Sequence, residues 1–338
     1  MLAAVLEDVE KLVVKDIEPP KISENEVLIE VKAASICNTT DWHIIEGKHR
    51  PQGGRFPSVL GHEGSGVVAE VGRCVKGINV GDKVAMRGWH PGCFAEYTKI
   101  RPDRMILIPE NMEFEDASCL EMLAPVANLT RKCVELGDLV IILGLGPAGL
   151  MMVQTVKAAG ADTIIASEPL ETRRKLGEEF GADHLIDPAK EDVIKRVREI
   201  TRFGADVVID TAGVPETYKI LTDLVKPGGV IGLFGLAWTP ISLSGFHEKG
   251  ARLIPSGEFC KTCGGELVVG PDGEVYRTPS YYYTRFVMQR ALRLVETGKV
   301  NLKRLITHRF LLKEIHKAFS QIKEKPNETL KVIIKPRP

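Results

Sequence analysis

The six residues Gly144-Leu145-Gly146-Pro147-Ala148-Gly149 follow directly on a continuous apolar run, Leu139-Val140-Ile141-Ile142-Leu143, and lead into a helical pattern over 150–159. Few folds accommodate a strand, a glycine turn and a helix in that order. Gly144 permits the tight turn, Gly146 lets the backbone approach an anion, and Gly149 lets the helix pack close to the strand, so that the helix N-terminus faces a pyrophosphate. A glycine turn capping an unrelated helix can be written in the same letters. Context separates the two: the next strand candidate leads to Glu168, 19 residues beyond Gly149, close to where an acidic side chain accepts from the ribose hydroxyls of a dinucleotide.

Strand candidates recur at 163–166, 207–210 and 230–234 with helical stretches between them. Alternating strands and helices, with strands apolar on both faces, predict a doubly wound parallel sheet in an α/β fold. The first 120 residues have another texture. Val27-Leu28-Ile29-Glu30-Val31 and Gly66-Val67-Val68-Ala69-Glu70-Val71 are β-branched runs closed by Gly72, Gly77 and Gly81-Asp82, which predicts a strand-and-turn region with little helix. An amphipathic helix is expected over 285–297, and Leu330-Lys331-Val332-Ile333-Ile334 is a last strand free to return to the first domain. At 338 residues the chain exceeds what one core normally serves, so two domains are expected. Their expected bounds are 1–123, 124–280 and a return to the first domain over 281–338.

Charge narrows the function classes. With 45 basic and 45 acidic side chains the balance favours neither nucleic acid nor an anionic membrane as a partner. The N-terminus is charged too early for a secretory signal and no apolar run approaches a membrane span, so a cytoplasmic location is expected. Seven scattered cysteines, an odd number, argue against a disulfide framework.

Three segments of the first third carry metal-ligand chemistry: Cys37, then Gly61-His62-Glu63, then Glu121. A thiolate, an imidazole and a carboxylate are the ligand types of a zinc site that keeps one position open. Taken singly, Cys37 reads equally well as a small buried hydrophobe, His62 as a core histidine and Glu121 as a helix-surface charge. Together with a dinucleotide loop they point to metal-assisted hydride transfer. Glu168 favours NAD, because a carboxylate repels a 2′-phosphate; Arg173 and Arg174 leave NADP open, as either can pair with that phosphate or serve as a helix start or a stacking surface for adenine. Pro147 and Ala148 in the loop, and Thr211 and Gly235 just beyond two of the strand candidates, complete the expected cofactor contacts.

The order of these motifs resembles the zinc-dependent medium-chain alcohol dehydrogenases, nearest the threonine and polyol dehydrogenase branch, over nearly the whole chain. The resembling segments are Ile36-Cys37, Thr40-Asp41-Trp42-His43, Gly61-His62-Glu63-Gly64, Val80-Gly81-Asp82-Lys83-Val84, Leu120-Glu121, the glycine loop, Ser167-Glu168-Pro169 and Leu305-Ile306-Thr307-His308. The resemblance implies a GroES-like β-rich catalytic domain interrupted by a Rossmann domain. It implies a catalytic zinc on Cys37, His62 and Glu121, with Glu63 in or just behind that set and Asp41 orienting His62. It implies hydride transfer between NAD(P) and a secondary alcohol, polyol or sugar-derived hydroxyl, and a homodimer or homotetramer. A proton relay of hydroxyl and histidine is implied as well. His43 matches the histidine, whereas the extra residue between Cys37 and Asp41 leaves the hydroxyl open between Thr39 and Thr40, with Thr40 keeping the spacing to Asp41.

Two departures from that family stand out. The four-cysteine lobe that holds a structural zinc in many relatives is absent, since only nine residues separate Val84 from Phe94. Cys260-Lys261-Thr262-Cys263 has the spacing of one zinc knuckle, and His90-Pro91-Gly92-Cys93 offers a matching pair. A second, accessory zinc on His90, Cys93, Cys260 and Cys263 is one expectation; a reduced thiol pair or a disulfide are the others. Arg87, Trp89 and the insertion over 260–283 are expected to shape the substrate pocket. A zinc-free quinone or enone reductase of the same fold, and a non-catalytic NAD-binding protein, are the alternative functions.

Overall fold

The computed structural model describes residues 1–48, 55–87, 92–235, 243–256, 267–269, 275–277 and 281–338. The chain divides into two compact units. The first joins Met1–Met122 to Thr262–Arg293 and Asn301–Pro338; the second comprises Leu123–Lys261 and Leu294–Val300.

The first unit is built on β-sheets. Strand Val27–Ser35 pairs antiparallel with Glu63–Val71, which pairs in turn with Lys83–Arg87, and that strand with Met105–Leu107. The C-terminal strand Lys331–Lys335 closes onto the other side of Val27–Ser35, matching Ile333 to Ser35 and Ile334 to Ala34, and carries Ile306–Leu311 parallel beside it. The expected return of the last strand is therefore made. A smaller sheet of three strands has Leu2–Asp8 at its centre. Burial alternates only in part along these strands. Val27, Ile29, Val31, Ala34, Val68, Val84 and Met86 point into one apolar core with Leu312, Ile315 and Phe319.

The second unit is a six-stranded, wholly parallel sheet. Its strands are Leu139–Leu143, Thr163–Ser167, His184–Ile186, Ala205–Asp210, Val225–Leu233 and Arg252–Pro255. Numbered one to six in chain order they lie 3-2-1-4-5-6, the arrangement of a dinucleotide-binding Rossmann fold. In such a sheet the order reverses beside the first strand, and ligands bind beyond the carboxyl ends of the strands there. The glycine turn leaves that first strand. Its helix, Pro147–Ala159, begins three residues earlier than the pattern predicted, because a proline at the first helical position needs no N–H partner and arrives with its φ already helical. Val140, Ile141, Ile142 and Leu143 are all buried, as expected of a strand covered on both faces. Among the described residues no helix is long and apolar enough to cross a membrane.

Candidate active site

The metal-ligand residues all belong to the first unit. Cys37 follows strand Val27–Ser35 and precedes the short helix Thr40–Ile45, whose Thr40 N–H donates to the Cys37 sulphur at 3.4 Å. Gly61 turns the chain into strand Glu63–Val71 with φ +95, a conformation that favours glycine, and the Phe94 ring and backbone press against it. That turn delivers His62 and Glu63 to the same buried spot as Cys37. Ligand atoms of Cys37, His62 and Glu63 all lie within 4.8 Å of one another.

Asp41 ties two of these three together. Its Oδ2 accepts from the Cys37 backbone N–H at 2.9 Å, and its Oδ1 lies 3.1 Å from His62 Nδ1. With Nδ1 donating to Asp41, His62 Nε2 keeps the lone pair that a metal requires. Burial pushes the His62 imidazole down, but the Asp41 carboxylate and the Cys37 sulphur outweigh it and hold the group well above its ordinary range. The pocket thus favours positive charge at this point, whether a proton or a metal ion.

Glu63 is held on one side only. Lys331 Nζ donates to Glu63 Oε2 at 2.5 Å and to the Ile36 carbonyl at 2.9 Å, and the Ser35 hydroxyl donates to the same Oε2. The other oxygen, Oε1, is buried, has no hydrogen-bond partner and lies 4.0 Å from His62 Nε2. A buried carboxylate oxygen left in that state is costly unless a cation completes it. Lys331 is fully buried; burial pushes its ammonium down, and the Glu63 carboxylate more than restores it.

Glu121, at the start of helix Leu120–Cys133, stands apart from the trio. Its Oε1 lies 3.7 Å from Arg87 Nε, and both side chains are 5% exposed. Charge bears on the same question. The buried acids Asp41, Glu63 and Glu121 face two buried cations, Arg87 and Lys331. An ionised Cys37 adds a further negative charge, so a dication brings the group to neutrality. The residues present therefore suit a zinc ion in donor type, charge and the orphaned Glu63 oxygen.

The expected relay residues lie on the same short helix. Thr39 is exposed and Thr40 half-buried, and Thr40 and His43 are one turn apart within Thr40–Ile45. Cys93 is fully buried in the apolar core, and burial drives its thiol far above the ordinary range, the setting of an unreactive cysteine. Its expected partners for a second zinc, His90, Cys260 and Cys263, lie outside the described residues, as does Trp89.

In the second unit the glycine loop does what its spacing requires. Gly144 takes φ +92, and a Cβ on Gly149 would overlap the Gly144 carbonyl oxygen. A Cβ on Gly146, by contrast, would meet nothing within 4 Å, so the loop presents open space at the N-terminus of the helix, ahead of Pro147 and Ala148. A dinucleotide phosphate fits that cradle. Thr211 donates its hydroxyl to the Gly144 carbonyl at 2.8 Å, fixing the loop, and Gly235 packs against Gly213 beside Asp210. Glu168 is buried and does more than the spacing foretold. Its Oε2 accepts from Leu145 N–H within the loop at 2.7 Å and its Oε1 from Leu170 N–H at 3.2 Å. Each oxygen retains a second lone pair for a ribose hydroxyl. Arg174 donates to the Glu168 carbonyl at 2.6 Å and pairs with Asp187 at 3.0 Å, while Arg173 is half-buried in the first turn of helix Glu171–Phe180.

Sequence reasoning missed Lys331 and Ser35 as partners of Glu63. The signal was a lone lysine inside the otherwise apolar strand Leu330-Lys331-Val332-Ile333-Ile334, where a solvated side chain has no place.

The comparisons agree with this geometry. Residues 23–110 match the model of the alcohol dehydrogenase GroES-like domain, and residues 147–257 that of the zinc-binding dehydrogenase. The chain is similar to the L-threonine 3-dehydrogenase of Pyrococcus furiosus, at 32% identity over 87% of each chain. It is also similar to the sorbitol dehydrogenase of Bacillus subtilis, at 27% identity over 99% of this chain and 97% of the relative. Among solved structures, a Sinorhizobium meliloti protein bound to NADP superposes with TM-score 0.83 at 27% identity, over 99% of both chains. The 2R,3R-butanediol dehydrogenase of Bacillus subtilis shares the fold with TM-score 0.83 at 24% identity, again over 99% of both. A GroES-like unit carrying a clustered metal-ligand trio, a Rossmann unit with an intact glycine cradle and relatives of this kind place the chain in the zinc-dependent medium-chain alcohol dehydrogenase family, enzymes that pass hydride between an alcohol and NAD(P).

Proposed function

We propose that this protein oxidises a secondary alcohol or polyol with NAD, using a zinc ion held by Cys37, His62 and Glu63. The observation that carries the proposal is the convergence of three chemically different ligand atoms within 4.8 Å, beside a buried Glu63 oxygen that has no hydrogen-bond partner. A zinc ion held by Cys37, His62 and Glu63 would supply Lewis-acid polarisation of the alcohol oxygen, and a nicotinamide cofactor on the glycine cradle would supply the hydride acceptor.

The chain's own residues do the rest. Asp41 fixes the His62 tautomer and the Cys37 backbone at once, which holds the directions of two ligands. Lys331 and Ser35 turn Glu63 so that only Oε1 faces the trio. The proton leaving the substrate passes to the Thr40 hydroxyl rather than to Thr39, which is exposed, and His43, one turn along the same helix, carries it onward. In the second unit the Gly144 to Gly149 cradle and the helix behind it hold the pyrophosphate. Glu168 supports that cradle through Leu145 and disfavours a 2′-phosphate.

The relatives named threonine and sorbitol dehydrogenase support an alcohol with a neighbouring polar group as substrate. Assembly as a dimer or tetramer and a cytoplasmic location belong to the same proposal and are supported by the family likeness alone. The test is a screen of NAD and NADP reduction over secondary alcohols, polyols, sugar acids and 3-hydroxy amino acids, with and without a chelator. Turnover that depends on metal and prefers NAD is the expected result. Enone or quinone reduction that survives chelation would replace this proposal with a zinc-free reductase.

A further inference from the structure

Two buried carboxylates of the first unit, Glu63 and Glu121, each have a cation beside them. Glu63 has Lys331, which takes Oε2 and leaves Oε1 facing Cys37 and His62. Glu121 has Arg87, whose Nε is 3.7 Å from Oε1. The position of Arg87 follows from the sheet. It sits at the end of strand Lys83–Arg87, directly opposite Glu63 in the antiparallel register, so the two side chains leave neighbouring strands on the same face.

Resting on the metal site proposed above, we infer that Arg87 is a positioning residue that holds Glu121 off the metal, leaving Cys37, His62 and Glu63 as the protein ligands among the described residues. The ligand atoms of those three residues form one group, and Glu121 is not in it. Charge argues the same way. A thiolate and the Glu63 carboxylate already neutralise a dication. Drawing Glu121 onto the metal would over-neutralise it and deprive a guanidinium that is 5% exposed of this carboxylate. The consequence is functional: the remaining coordination positions stay available to substrate oxygen and solvent, rather than being closed by a fourth side chain.

Replacing zinc by cobalt in the full chain makes the ligand set visible in the metal's absorption bands, and chelator competition gives the zinc affinity. For Glu121→Gln the cobalt bands are expected to stay in place and the zinc affinity to change by no more than about twofold. For Glu63→Gln the affinity is expected to fall by at least about 100-fold, beyond the loss typical of residues behind the ligands. Arg87→Gln should release Glu121 onto the metal and shift the cobalt bands toward a higher coordination number, and Arg87→Gln with Glu121→Gln should restore them. A Glu121→Gln variant whose bands move and whose affinity falls as far as that of Glu63→Gln overturns the inference, as does Arg87→Gln with unmoved bands. Should Arg87→Gln fail to fold, the pair Glu63→Gln and Glu121→Gln still decides. A wild-type chain that binds neither zinc nor cobalt overturns the metal site itself, and the inference with it.

Discussion

The two units build their candidate binding regions from different materials. In the Rossmann unit the cofactor cradle is a contiguous run of six residues whose function is backbone geometry: Gly144 at φ +92, Gly149 without room for a Cβ and Gly146 open to a ligand. In the GroES-like unit the metal site is assembled from side chains at 35, 37, 41, 62, 63, 87, 121 and 331, and its function is charge. A loop made of backbone tolerates changes around it but no side chain at Gly144 or Gly149. A buried set of charges tolerates no change in its sum. Substitutions in the two regions should therefore fail in different ways, and the difference can be measured.

The largest effect belongs to the charged region. Lys331→Met leaves the Glu63 carboxylate buried without its cation, and removing one partner of such a pair costs about 3–5 kcal/mol. Chemical unfolding of metal-free and zinc-loaded protein checks this. The loss should be smaller in the loaded protein, because zinc supplies positive charge to the same carboxylate. Equal stability of mutant and wild type in the metal-free state would erase the contrast between the regions.

Next comes the loop. In Gly149→Ala the added Cβ overlaps the Gly144 carbonyl oxygen and must displace the turn, at a cost of about 3 kcal/mol. NAD binding should be lost while zinc content is retained, as calorimetry and metal analysis would report. Loss of zinc together with NAD would contradict the separation of the two sites. Glu168→Gln is milder. It weakens the bond to Leu145 N–H and removes the charge that opposes a 2′-phosphate, so the ratio of NAD to NADP affinity should fall about tenfold, roughly 1.4 kcal/mol. Dissociation constants for both cofactors check it.

The smallest effect tests whether charge matters equally at the surface of the first unit. Burial pushes Glu115 up, but the bonds and charges of Lys335 at 2.8 Å and Arg309 at 2.7 Å outweigh it and hold the carboxyl below its usual range. A carboxylate depressed in the folded state contributes stability that is complete above the ordinary carboxylate pKa and is lost as pH falls through the folded value. For so partial a burial the amount is about 0.5 kcal/mol. Glu115→Gln should lower stability by that much near neutrality and leave it unchanged at low pH, where the wild-type carboxyl is protonated, so the acid side of the stability curve flattens.

The same contrast explains what could be read from the letters. The Rossmann strands, the glycine turn and Glu168 were legible because contiguous residues carry them and period and spacing reveal them. The additional task of Glu168, holding Leu145 N–H, depends on how the second strand's end meets the loop, and no local pattern shows that. Cys37, His62, Glu63 and Glu121 were visible as residue types, with Glu121 expected on the zinc and Glu63 in or just behind that set, but the order of residues along a chain cannot decide which carboxylate gathers with Cys37 and His62. That depends on Lys331 returning from the far end of the chain to Glu63 and on strand register bringing Arg87 opposite it. Of the four residues expected to hold a second zinc, only Cys93 lies among the described residues, where it is buried in the core.

The central claim is that hydride transfer depends on a dication held by the first unit while the cofactor is held independently by the second. Its most direct test is to remove the metal by chelation and follow both NAD binding and NAD reduction with a secondary alcohol or polyol that the wild type oxidises. The prediction is that reduction stops while NAD still binds, that added zinc restores it in the wild type, and that Cys37→Ser does not recover. A chelated, metal-free protein that keeps its rate would contradict the account.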